Sequence, residues 1–232
     1  MSDALDRALE RLAAPVGESS DPPAALRDAI ARDLRPTRPQ PLARVWPAVA
    51  VSAAVVTAFA LLMPRADLAH QPRARMIVAT LAWVAGTLSG LAMLHRPGRY
   101  GLGPGAHTRL LWLVTALGIF EAVAAWSTVA VTGSVVPAEG EALTMGVKCT
   151  LEGSFSALLV ALVVVRLARG TAVSSPWSAA MVAGASAGFV GTLVQQFVCP
   201  VAAHAHTMTA HAAPVLLGAL AASLFARRAV SV

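Results

Sequence analysis

Two cysteines and three histidines supply most of the reactive chemistry in this chain. Cys199, His204, His206 and His211 fall within the fifteen residues FVCPVAAHAHTMTAH, and the second cysteine, Cys149, stands fifty positions earlier with Glu152 close behind it. Thiolate and imidazole together suit soft or borderline ions such as copper, zinc or cadmium. Cys149, Cys199, His204, His206, His211 and Glu152 could furnish four ligands to one such ion. Cys149 and Cys199 alone would suffice for redox work, cycling between dithiol and disulfide or being oxidised directly. The plainer alternative is a static disulfide, or two inert buried thiols beside solvated histidines. None of these spacings is a strong motif by itself, and no resident cofactor is implied beyond such an ion.

The rest of the chain decides whether these residues can meet. With 56% hydrophobic and 13% charged residues, and a mean hydropathy of +0.66, it is too apolar for an ordinary soluble domain of 232 residues. A membrane-spanning helix needs about 20 mostly apolar residues. Six such runs occur, at 45–63, 76–94, 110–131, 149–167, 178–198 and 209–226. The expected fold is all-α: a polytopic membrane protein with a six-helix transmembrane domain over 45–232 and a polar tail over 1–44. The tail begins MSDALDRALERLAAP, acidic and amphipathic, unlike a cleaved secretory signal.

Orientation follows from the basic residues beside the spans. With both termini cytoplasmic, the inner segments hold 14 Lys and Arg and the outer loops 4. That split places Cys149, Cys199, His204, His206 and His211 at the outer face, with His204 and His206 in a loop and His211 in the first turns of span six. In an oxidising compartment two neighbouring thiols there can pair. Membrane topology also accounts for the excess positive charge, so direct nucleic-acid binding is not needed to explain it.

The tail carries a second surface. Leu5, Leu9 and Leu12 share one helical face, and after Pro22 and Pro23 so do Leu26, Ile30 and Leu34, until Pro36 stops the run. Helices this short are marginal alone in water. A partner groove would order them, and the inner membrane surface or mutual packing are the alternatives.

Other features have bland readings. Glu121, near the middle of span three, is expected to be a protonated or hydrogen-bonded packing residue rather than part of a proton relay. GASAGF (Gly184 to Phe189) contains a G-x-S-x-G string, but small residues at this spacing in a membrane helix permit close packing. Ser186 lies about 16 Å below the outer end of span five at 1.5 Å per residue, out of reach of His211, so no catalysis is expected. A small transporter or metal-handling channel, with the outer cluster at its mouth and Glu121 along the path, is the competing class. It fits less well, because the spans are mostly Ala, Val, Leu and Gly.

DLRPTRPQPLAR (Asp33 to Arg44), directly before span one, resembles the D-L-x-P-V-R-P stretch that precedes the membrane domain in NrsF-type anti-sigma factors, with Thr37 in place of Val. A cysteine opening span four, another closing span five and a histidine at the start of span six match Cys149, Cys199 and His211, although Ala210 stands where Trp often precedes that histidine. The resemblance implies a multi-pass bacterial inner-membrane protein, embedded in the lipid bilayer. It would hold an extracytoplasmic-function sigma factor through its tail and release it when heavy metal or oxidation acts on the outer cysteines.

Overall fold

The computed structural model describes residues 24, 28, 46–95, 104–138, 141–168 and 175–230. The chain divides into two units, Met1–Arg38 and Pro39–Val232. In the first, Ala24 and Asp28 are the described residues, both helical and exposed. Leu5, Leu9, Leu12, Leu26, Ile30 and Leu34 lie outside the described residues.

Among its described residues the second unit is helical, joined by loops. Its elements are α1 (Trp46–Leu62), α2 (Arg73–His95), α3 (Ala106–Ser127), α4 (Glu141–Ala168), α5 (Pro176–Val198), α6 (His204–Ala210) and α7 (Ala213–Val230), with one 3-10 turn at Leu68–His70. Five segments are long and apolar enough to cross a bilayer, and α6 with the first part of α7 forms the fifth. α1, with 17 residues, is about 26 Å long at 1.5 Å per residue, slightly under the usual hydrocarbon thickness. Exposed Leu81, Leu111, Val114, Leu162, Leu220 and Phe225 coat the outside of the bundle, as a lipid-facing surface requires.

α5 is the axis. In its apolar window 83% of residues are buried, against 17–33% in the other four spans, and α7, α4 and α2 pack along it. Its sequence explains this position. In lipid the helices gain nothing from hiding apolar surface, so close backbone approach and dispersion contacts hold them together. Glycine permits that approach. A Cβ on Gly184 would run into the Gly218 carbonyl of α7, one on Gly188 would meet the backbone of Pro214 and Val215, and one on Gly191 would meet the Gly153 carbonyl of α4. Ser186, between these glycines, donates its hydroxyl to the Val182 carbonyl of its own helix at 2.8 Å. The GASAGF string is thus occupied by helix packing.

α4 starts eight residues before the expected beginning of span four, so Cys149 sits in its third turn instead of opening it. The His204–His206 stretch also differs from expectation: it is the helix α6, not a loop. After Pro200, Val201 forms a bridge with Val135, the chain turns, and Thr207 N–H donates to the Ala203 carbonyl at 3.0 Å. Helix then runs to a break at His211. Pro214 causes the break, because it has no N–H for the Ala210 carbonyl four residues back.

Candidate functional site

The break in the last span sets the local geometry. The freed Ala210 carbonyl accepts from Gln195 Nε2 of α5 at 3.3 Å and from Thr150 Oγ1 of α4 at 3.4 Å. The His211 carbonyl accepts from Thr192 Oγ1 at 2.7 Å, while Val215 N–H turns to Ala212 instead. Backbone polar groups at membrane depth must be satisfied internally. Here Gln195 and Thr192 of the axial helix do it, with Thr150 of α4. Gln195 Nε2 also donates to the Cys149 carbonyl at 2.5 Å, so a single amide ties α4 and α6 to α5 directly beneath the thiols.

Above this clamp the reactive groups converge. Cys149 and Cys199 are buried free thiols with their sulfurs 3.2 Å apart, and His206 Nε2 lies 3.4 Å from the Cys199 sulfur. One ligand atom from each of Cys149, Cys199 and His206 falls within a 4.8 Å spread, an arrangement able to hold a metal ion. His211 is buried as well, its ring 5.6 Å from that of His206 in an edge-to-face arrangement. His206 Nδ1 and His211 Nε2 are buried without hydrogen-bond partners, which leaves donor capacity free inside the cluster. Val135, Met145, Val201 and Ala203 close over it.

Helix geometry sorts the other candidates. Two residues along a helix turn the direction by about 200°, so with His206 facing the thiols His204 faces outward and is exposed. Glu152 is half-buried and lies 3.9 Å from Lys148, its neighbour one turn back, outside the three-ligand group. Glu121 is likewise half-buried, and its Oε2 is buried with no hydrogen-bond partner. Cys199, just beyond the end of α5, has its pKa held well below the usual thiol range. A hydrogen bond from the Cys149 thiol is the main cause, and contacts from His206 and His211 add to it against the opposing effect of burial.

A buried polar network supports the cluster from one side. Asp67 is fully buried and accepts from Arg65 Nε at 2.5 Å and Nη2 at 2.7 Å, from Gln71 Nε2 at 2.7 Å and from Ser134 Oγ at 2.5 Å. Arg65 Nη1 donates to the Gln196 carbonyl at 3.0 Å. Gly133, at φ +86° against the Ala66 carbonyl, makes the turn that brings Ser134 in. Burial alone would raise the Asp67 carboxyl, but the hydrogen bonds from Arg65, Ser134 and Gln71, with the Arg65 charge, hold its pKa at about 2. Between this network and the thiols lies a small cavity of about 30 Å³, lined among others by Arg65, Gln71, Met76, Gln196, Cys199 and His211. Its size admits a water or two.

The network was not anticipated from sequence, and the local signal was thin: an R-x-D triplet, Arg65 to Asp67, in a short loop. The Gln195 clamp had a better one, because a proline three residues after His211 announces a broken helix that needs outside donors.

Gln195→Leu is expected to cost about 1–2 kcal/mol, the value of a buried hydrogen-bonded amide, in an SDS unfolding titration of the detergent-solubilised protein. It should also slow disulfide formation between Cys149 and Cys199. Unchanged stability together with an unchanged oxidation rate would mean that the amide clamps nothing.

Residues 30–231 match the family described as NrsF, negative regulator of sigma F. The chain belongs to the NrsF family. Its regulatory role as a negative regulator of a sigma factor, the sigma factor as partner and the apolar spans of a membrane protein follow from that membership and the fold. No curated protein matches the chain, and no solved structure does. In this NrsF-family chain the two cysteines, fifty positions apart in sequence, are neighbours in space.

Proposed function

We propose that this chain is an inner-membrane anti-sigma factor with both termini in the cytoplasm. Its first 44 residues sequester an extracytoplasmic-function sigma factor, and an outer Cys/His centre triggers release on meeting a soft metal ion or an oxidant. The observation that carries the reading is the pair of buried free thiols 3.2 Å apart with an imidazole nitrogen 3.4 Å from one of them. That separation stands between two chemical end points. A disulfide draws the sulfurs to about 2.05 Å, whereas two thiolates on one tetrahedral zinc-sized ion stand about 3.7 Å apart. Oxidation by a peroxide would join the sulfurs: the Cys199 thiolate takes an oxygen from the peroxide as hydroxide leaves, and the Cys149 thiol then displaces that oxygen as water. Metal uptake would spread them, with His206 as third ligand and His211 as the nearest further one.

Either event moves α4 against α5. The Gln195 amide and the glycine contacts along α5 make that seam stiff, so a displacement at the thiols is passed along the helices. A ligand shifts such an equilibrium only by its preference for one of two packings. Thr192 and Gln195 support this reading over transport, since their side chains are committed to carbonyls of neighbouring segments.

Co-purification of the full chain with its sigma factor tests both halves. Leu26→Asp or Ile30→Asp should abolish co-purification with membrane insertion intact, and retained sigma factor would remove the tail as the docking element. Cys149→Ser or Cys199→Ser should leave binding intact but blunt release by cadmium ion at least about tenfold in dose, since losing even an outer-shell partner of a metal ligand costs that much, and should blunt release by hydrogen peroxide as well. A dose response equal to wild type would take the thiols out of the mechanism.

A further inference from the structure

Cys199 is the C-cap of α5, and the backbone on either side of it is tied down from outside the helix. Before it, the Gln196 carbonyl would meet the N–H of residue 200, but Pro200 has none, and the chain leaves the helix before the Phe197 carbonyl finds a partner. Arg65 takes both. Its Nη1 donates to the Gln196 carbonyl and its backbone N–H to the Phe197 carbonyl, each at 3.0 Å, and a guanidinium there also suits the negative end of a helix. After Cys199, Val135 N–H donates to the Pro200 carbonyl at 2.9 Å and Ala202 N–H to the Val135 carbonyl at 3.0 Å. One carboxylate joins the two ties. Asp67 accepts from Arg65 on the first side and from Ser134, the residue before Val135, on the second. Ser134 Oγ in turn accepts from Val131 N–H at 3.1 Å, which closes the turn.

Cys149 is held separately, inside α4 and with its carbonyl bonded to Gln195. The sulfurs stand 3.2 Å apart because two backbones are anchored by different contacts, and the anchor on the Cys199 side runs through an ion pair drawn from another loop. Groups that act together must be held within about 0.5 Å of their productive geometry, and a misplacement of about 1 Å can cost a hundredfold. We propose that Arg65 and Asp67 are positioning residues for Cys199, forming with Ser134 a two-sided brace that holds its sulfur in reach of Cys149. Such a role presupposes the thiol pair as the reactive centre proposed above. With the brace cut, each thiol is still present, but the two no longer act as a pair.

The test is the thiol–disulfide equilibrium of the purified full chain in mild detergent, set against graded ratios of reduced and oxidised dithiothreitol, with cadmium ion binding measured on the reduced form. Ser134→Ala cuts the arm to Val135 and leaves the Arg65–Asp67 pair in place. It should lower both disulfide formation and cadmium affinity by about ten- to a hundredfold, and Ser134→Thr, which keeps the hydroxyl, should restore both. Arg65→Gln should do at least as much where it folds. Val164→Ala supplies the comparison, since it shortens a buried side chain in a separate core cluster, about 22 Å from Cys149 along α4 at 1.5 Å per residue. It should lower stability and leave both readouts at wild-type values. A wild-type equilibrium and affinity in Ser134→Ala, or losses in Val164→Ala as large as in the brace variants, overturn the positioning role. Wild type that neither forms the disulfide nor binds cadmium removes the centre itself, and the brace with it. Sigma factor is absent from these measurements, so release that ignores the thiols in the co-purification assay would sink the sensing function and leave these equilibria as they are.

Discussion

Asp67→Ala is expected to destabilise the protein by about 3–5 kcal/mol, the cost of stranding one member of a buried ion pair. The Arg65 side chain is 9% exposed and Asp67 0%, so the guanidinium left behind has little water to turn to. The same substitution unties Gln71 and Ser134, which belong to two different loops. Asp67→Asn, which retains the shape, should cost less. An SDS unfolding titration measures both, and a loss below about 1 kcal/mol, the ceiling for an exposed ion pair, would show that the network carries no more than a surface contact.

The network also predicts an acid limit. The Asp67 carboxyl is lowered from 3.8 to about 2, so its stabilisation is complete above 3.8 and is lost as pH falls through about 2. The amount at stake is about 2 kcal/mol. Wild type should therefore lose stability between those values by more than Asp67→Asn does, and parallel profiles would remove Asp67 as the cause.

The second large effect is expected at Gly184. A side chain there meets the carbonyl oxygen and carbon of Gly218 and the Cβ of Ala222. Backbone cannot step aside as a flexible side chain can. Gly184→Val should force α5 and α7 apart and cost about 1–3 kcal/mol or more, the range for overpacking. Gly218→Val probes the contact from the other side, and the double variant should cost less than the sum because the two share one clash. Gly118 supplies the control: it is exposed and has nothing within 4 Å, so Gly118→Ala should be neutral or stabilising by up to about 1 kcal/mol. Equal effects at Gly184 and Gly118 in the same unfolding titration would refute close packing as the reason for the glycine.

These contacts mark how far the sequence could be read. Apolar runs locate spans, because the bilayer imposes a length and forbids charge. α2, α3 and α5 accordingly begin and end within a few residues of the runs that suggested them. Where the membrane stops imposing its rule, the reading loosens. α4 extends outward through EALTMGVK, which is helical without being strongly apolar, and α6 forms where a histidine-rich loop was expected. The meeting of Cys149 with Cys199 is an inference from topology that the fold makes concrete, and the outward turn of His204 is a phase that becomes fixed only once α6 exists. Asp67, Ser134 and Arg65 are ordinary loop residues until three separate segments are brought together. Arg109 in particular reads as one more inner basic residue, and only its burial against Ser175 and Ser178 distinguishes it.

The interruption at His211 divides the labour within the last span. α7, beyond Pro214, is the strut that locks into the glycine face of α5, while α6 is a seven-residue cap that presents His206 to the sulfurs and is joined to the strut by one turn. The Cys/His cluster and the load-carrying structure therefore draw on different stretches of the same apolar segment. On the proposed sensing role, a lineage could rewrite the cap, altering the groups presented to the thiols, with the glycine seam left untouched. The chemistry of the cluster can then change quickly on a scaffold that changes slowly.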